Sequence, residues 1–173
     1  MASKEKNIVA PPDFDNLRVI GINSALADYK LVWLLNERLS IKLARQDDLV
    51  HNEGIYPYYH CRAEENDPSY GLLAVSYDKK SMLNFKPRLD YLFIMRDESL
   101  LARISTMFDK IRTLNGVNYA FLMDGYMERL EPALYEVENY DTTLVIRQRQ
   151  RNSPEYAKEN IRQRNIILGI SHN

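Results

Sequence analysis

The residues with the best claim to chemistry, Asp47, Asp48, His51 and Glu53, fall within one short stretch. Three carboxylates around an imidazole could gather a divalent cation or hold a general base, because neighbouring carboxylates raise each other's affinity for metal or proton. A hard cation needs oxygens that converge, and a short polar loop after a strand more often leaves them in water. A metal-assisted enzyme around Asp47, Asp48 and His51 is therefore the weakest of the functional readings. The three histidines, His51, His60 and His172, lack helical metal spacing, and the six scattered glycines form no phosphate loop. Ser24 and Ser40 sit in no nucleophile elbow. No catalytic residue is assigned, the reading leans away from an enzyme, and no cofactor is expected.

A second set of candidates would bind rather than react. Arg147, Arg149 and Arg151 alternate with glutamines. If extended, this segment places them on one side with Val145, where three guanidiniums could track the phosphates of an RNA. Tyr56 and Tyr58, with Tyr59 and with Tyr70 and Tyr77 across an expected hairpin, could stack bases. Cross-strand aromatic pairs also stabilise a sheet without any ligand, which is the favoured reading. Asp90 is read as turning the chain after Pro87, and Tyr91 as packing with its hydroxyl at a sheet edge.

Positioning these residues requires elements, and the chain specifies the same set twice. Leu17 to Ile22, Ala25 to Leu39 and Ile41 to Arg45 read as strand, helix, strand; so do Asp90 to Met95, Glu98 to Leu114 and Val117 to Met123. In the second helix Leu100, Leu101, Ile104, Met107, Phe108, Ile111 and Leu114 make one apolar stripe, with Asp97 as cap and Asn115-Gly116 as the left-handed stop. In the first helix, Tyr29, Val32, Trp33 and Leu39 form one stripe and Leu31, Leu34 and Leu35 widen it, with Ser24 as expected cap. So broad an apolar surface predicts that Leu31 or Leu34 meets a second chain or the tail, while a lone Trp33 is expected in the core. Between the two units, Gly54 to Arg62 and Ser69 to Tyr77 read as a hairpin, with Pro57 confined to an edge or a bulge because it has no amide to donate.

The predicted fold is α+β. Two β-α-β units surround an inserted hairpin, giving a mainly antiparallel sheet with two helices on one face, a ferredoxin-like sandwich with a basic C-terminal extension. Its expected divisions are a flexible N-terminus over 1–13, one domain over 14–135, and an acidic connector with a basic tail and a further helix over 136–173. At 173 residues, 45% apolar and 27% charged, the chain can bury one sizeable core without a metal or disulfide. The first ten residues lack the apolar run of a secretory signal and no stretch has the length of a membrane span, so a cytoplasmic protein without membrane contact is expected. The single cysteine, Cys61, agrees with a reducing compartment.

A net charge of −1 argues against whole-surface binding to nucleic acid, yet charge is segregated. Between Asp124 and Asp141 six acids face Arg129 alone, a balance of −5; from Thr142 onward six bases face Glu155 and Glu159, a balance of +4. Ser153-Pro154-Glu155 then reads as a helix start.

Asp28 to Asn36 followed by Leu43 to Leu49, together with Leu89-Asp90-Tyr91 leading into Leu92-Phe93-Ile94, resembles the bacterial IPExxxVDY family over about Phe14 to Asp124. Leu83-Asn84-Phe85 stands where that family has Ile-Pro-Glu. The resemblance implies a small cytoplasmic protein and supplies no activity. The leading expectation is a non-enzymatic binding or adaptor protein acting through protein contacts, with a protein partner or a second copy. It would use an exposed sheet face, the first helix or the tail. An RNA-associated protein using the arginines of the tail is the alternative.

Overall fold

The computed structural model describes residues 14, 16–61, 69–96 and 103–151. The chain divides into two compact units, Met1–Glu136 and Val137–Asn173. In the first unit, strands β1 (Leu17–Ser24), β2 (Ala44–Arg45), β5 (Tyr58–Cys61), β6 (Ser69–Ala74), β9 (Tyr91–Arg96) and β10 (Val117–Leu122) form one six-stranded sheet. Two small hairpins, β3 (Leu49–His51) with β4 (Gly54–Tyr56) and β7 (Ser76–Tyr77) with β8 (Lys80–Ser81), stand outside it. Helices α1 (Asp28–Leu39) and α2 (Ile104–Arg112) follow β1 and β9, and α3 (Met127–Arg151) follows β10 after a 3₁₀ turn at Asp124–Tyr126.

The sheet runs in the order β10-β1-β9-β6-β5-β2, and every neighbouring pair is antiparallel. Consequently β9 and β10 are parallel with β1 between them, and β1 and β6 are parallel with β9 between them. The α+β class is as expected, with two interleaved crossovers, β1-α1-β6 and β9-α2-β10, but the first closes differently: its return strand is β6, expected in the inserted hairpin, while the segment expected to close it lies at the far edge as β2, beyond β5. Both helices lie on one face. Leu31, Val32, Leu35 and Leu39 of α1 and Ile104 and Ile111 of α2 share a core with Ile20, Ile22, Leu72, Phe93 and Met95.

Several expectations are corrected. The strand over Ile41 to Arg45 shrinks to Ala44–Arg45. After α1 ends at left-handed Ser40, the Asn36 side chain donates to the Leu43 carbonyl at 3.0 Å and accepts the Leu43 amide at 2.8 Å, fixing this segment against the helix end. The long hairpin strand breaks at Pro57, where the chain passes from β4 in one sheet to β5 in another, while the Pro57 carbonyl accepts the Ala74 amide at 2.9 Å. Ser24 does not cap α1, whose N-cap is Ala27; the Ser24 hydroxyl donates to the Gly116 carbonyl at 2.6 Å and accepts the Leu26 amide at 3.1 Å. Gly116 has φ +93, the expected left-handed stop after α2. The Asp97 cap and the first turn expected of that helix lie outside the described residues.

On α1 the sheet selects a different stripe from the one read in sequence. Leu31, at 0% exposure, belongs to the core of its own chain and presents no surface to a second, and Leu34 is half-buried. Tyr29 and Trp33 lie about 100° or more around the helix from the centre of the buried stripe and remain in water. Nor does the sheet keep an open face. Opposite the helical layer, Val19, Leu73, Leu92 and Ile94 are all buried. Leu89 and Met123 approach that face at Gly21, where an added Cβ would fall 2.9 Å from each of them, so the glycine is what permits the close approach. Leu130, Ala133 and Leu134, spaced by three and one along the first turns of α3, are buried as well.

The acidic connector and the arginine segment form one helix. From Met127 to Arg151 the backbone is continuously helical. Leu144 to Arg151 is therefore not extended, and Arg149 stands about 200° around the axis from Arg147 rather than in line with it. The helix expected after Ser153 lies outside the described residues.

Candidate functional site

The cluster nominated by sequence comes apart in space. Arg45 on β2 reaches back to the first turn of α1, donating through Nη1 to Asp28 Oδ2 at 2.8 Å and to the Tyr59 hydroxyl at 3.0 Å, and through Nη2 to Asp48. Tyr59 in turn donates to Asp28 Oδ2 at 2.9 Å, and the guanidinium lies 5.1 Å from the centre of its ring. Asp48 is thus committed to a charge-assisted clasp with a guanidinium, a strong kind of hydrogen bond, and not to a metal ion. Burial raises the Tyr59 phenol above its ordinary value, and its bond to Asp28 adds to the effect. Burial opposes the charge on Arg45, but Tyr59, Asp48 and Asp28 together hold the guanidinium above its usual range.

His51 is turned elsewhere. Its Nδ1 lies 3.1 Å from Glu136 Oε1 and its Nε2 lies 3.0 Å from the Asn52 amide nitrogen. Those partners assign the neutral ring a proton on Nδ1, donated to Glu136, with Nε2 as acceptor. Asn52 and Glu53 are the two turn residues of the β3-β4 hairpin, both left-handed with φ 44 and φ 61. The pair reads as a tight hairpin turn of the type that matches strand twist. Sequence reading missed this hairpin because Asn-Glu lacks the glycine that usually announces such a turn. Among the described residues no group of three His, Cys, Asp or Glu side chains is placed to hold a metal ion.

A second polar cluster, around Asp90, was read only as a turn. Asp90 Oδ2 accepts the Asn23 side-chain amide at 2.7 Å and the Ser24 backbone amide at 3.1 Å, and Oδ1 pairs with Arg88 Nε at 3.1 Å. The Asn118 amide donates to Asn23 Oδ1 at 2.8 Å, and the Tyr119 hydroxyl donates to the Arg88 carbonyl at 2.8 Å. Asp90 therefore joins the end of β1 to the loop before β9, and Asn118 and Tyr119 bring in the start of β10. Tyr91 is buried, donates to the Leu26 carbonyl at 2.7 Å, and is raised far above the ordinary phenol range, chiefly by burial. Apart from the Arg88–Asp90 pair within one loop, these contacts tie separate chain segments together.

The aromatic platform fails on exposure. Tyr56 at 2% and Tyr58 at 1% are core residues, with Tyr58 stacked on His60 at 6.0 Å between ring centres, so neither ring can receive a base. Among the described residues Tyr77, Phe121, Tyr126 and Tyr135 are also exposed, but less so than Tyr29 at 61% and Trp33 at 63%, which stand one helical turn apart on α1. Their signal in the sequence was the width of the apolar surface on this helix. Arg147 is exposed on α3, and the structure assigns Arg149 and Arg151 a helical backbone. No described helix is long and apolar enough to cross a membrane. No protein-family model, curated protein or solved structure matches this chain.

Proposed function

We propose that the protein is a binding or adaptor module that works through protein–protein contacts, anchored by Tyr29 and Trp33 of α1. The observation that carries this reading is that two large aromatic side chains stand in water on a helix whose other side is locked into the core. Tryptophan and tyrosine dominate binding energy at interfaces, because each buries a large area while losing few rotamers. The Arg45–Asp28–Tyr59 clasp supports the same reading. It fixes the first turn of α1, so the Tyr29 backbone is already ordered before a partner arrives and less entropy is lost on docking.

RNA association is less well supported. Its two stacking tyrosines are buried, and its three arginines share their helix with the acids that precede them. The test is affinity purification of the tagged full chain from its native cell, wild type beside Tyr29→Glu/Trp33→Glu. A protein partner recovered in stoichiometric amount with the wild type and lost with the variant, at an unchanged melting temperature, is the expected result. Equal recovery with both, or stoichiometric RNA lost on replacing Arg147, Arg149 and Arg151 by Gln, overturns it.

A further inference from the structure

The two edges of the main sheet are built to opposite rules. An edge strand exposes a row of unpaired amides and carbonyls, and proteins that must stay apart blunt it with shortness, charge or proline. The β2 edge follows that rule, since it has two residues, one of them Arg45. The β10 edge does not. Its sequence Val-Asn-Tyr-Ala-Phe-Leu carries neither charge nor proline over six residues, Phe121 is 40% exposed and Leu122 39%, and among the described residues its sheet partner is β1 alone.

We propose that β10 pairs with β10 of a second copy of this chain, antiparallel about a twofold axis at Ala120, joining the two sheets into one. The free surface has a defined direction. Met123 donates its amide to Val19 at 2.9 Å, in register with Ile20 opposite Leu122 and Gly21 opposite Phe121. Hydrogen-bonded and non-hydrogen-bonded pairs alternate along an antiparallel ladder, so Tyr119, Phe121 and Met123 bond to β1, and Ala120 and Leu122 aim their backbone groups outward. The register irregularity of β1 at Asn23 and Ser24 leaves Tyr119 to Leu122 regular.

A twofold axis at Ala120 places the two Ala120 residues opposite each other as a hydrogen-bonded pair. Tyr119 then falls opposite Phe121 of the second copy in the closer, non-hydrogen-bonded pairs, where aromatic side chains interact best across strands. Within one chain these rings already lie 5.2 Å apart between centres, so the seam closes four rings into one cluster on the side away from α1 and α2. What suits a second copy better than an arbitrary strand is that β10 is its own complement, Tyr119 meeting Phe121 twice about the axis, and the flanking charges stay apart in this register. Asp124, already paired with Arg18 at 3.5 Å, falls opposite Gly116 of the other copy, and the two Asp124 residues stand at opposite ends of the seam. Six residues a side are fewer than a standard interface supplies, so the dimer forms in a concentration-dependent equilibrium.

Sedimentation velocity of the full chain over about a hundredfold range of concentration reads the equilibrium, and amide exchange by NMR reads the seam. The wild type should pass from monomer to dimer, with the amides of Ala120 and Leu122 gaining at least about tenfold protection as it does. Ala120→Pro, which removes an outward amide and leaves the β1 ladder intact, and Phe121→Lys should each raise the dissociation constant at least about tenfold with unchanged circular dichroism. Trp33→Glu should leave the dimer untouched, which separates this seam from the surface on α1. A wild type that is monomeric throughout, a dimer in which these two amides stay unprotected, or a dimer that survives both β10 variants overturns the proposal.

Discussion

Replacing Leu31 by Ala is the sharpest test of how α1 sits. Leu31 is fully buried in a core shared with β1, β9 and α2, whereas Trp33, two residues on, is mostly in water. Removing the isopropyl group beyond Cβ forfeits about 2 kcal/mol of transfer free energy, and the cavity left in a layer pinned between sheet and helix adds about 1 to 2 kcal/mol more. The expected loss is about 3 to 4 kcal/mol, or roughly 10 °C in Tm for a chain of this length. Trp33→Ala should stay within about 0.5 kcal/mol, because little of the ring leaves water on folding. Urea denaturation of both variants, followed by circular dichroism with the m-value held common, makes the comparison. Equal losses in the two, or a Leu31→Ala loss below about 1 kcal/mol together with a changed oligomeric state, would show that α1 is turned the other way.

Other perturbations probe separate features. Glu53→Gly should stabilise by about 0.5 to 1 kcal/mol, since the residue holds φ 61 and glycine adopts that conformation without strain; thermal melts decide the sign. Arg45→Met, which leaves Asp28 with its Tyr59 bond alone, should cost about 1 to 3 kcal/mol in the same denaturation assay, and a neutral outcome would show that the clasp contributes nothing net. Both Tyr59 and Tyr91 are raised in the folded state, so their contribution to stability is complete below the unfolded phenol value near 10 and is lost as pH rises above it. Denaturation midpoints should therefore fall in alkaline buffer, and the fall should flatten in Tyr91→Phe if the argument holds. Replacing Arg147, Arg149 and Arg151 by Gln should change the salt slope of RNA binding by less than about one unit, against about two to three if all three contact phosphates.

The part of the fold legible from the chain was the part encoded locally. Uninterrupted apolar runs such as Leu92-Phe93-Ile94 and the periodic stripe of α2 identify strand and helix because side-chain direction repeats every two or every 3.6 residues. The second crossover, β9-α2-β10, follows from that order; the first does not, because its return strand is β6 and not the segment directly after α1. The Asp-Tyr pair at positions 90 and 91 was also read in its proper place, at the mouth of a strand. Local pattern fails wherever two faces compete. A helix that is apolar most of the way round does not state which side meets the sheet. Burying Leu31 and Leu35 left Tyr29 and Trp33 outside. Likewise a cluster of carboxylates does not reveal its partners, and Asp48 turned to Arg45 while His51 turned to Glu136, 85 residues away in sequence. Alternation in Gln-Arg-Gln-Arg fits an extended strand, yet α3 carries through it as helix. The amino-acid sequence by itself determined the elements β1, α1, β9, α2 and β10 and their order along the chain. The tertiary structure alone decided which side chains remain at the surface, because burial is a competition for one core between segments far apart in the chain, and no single segment carries the outcome.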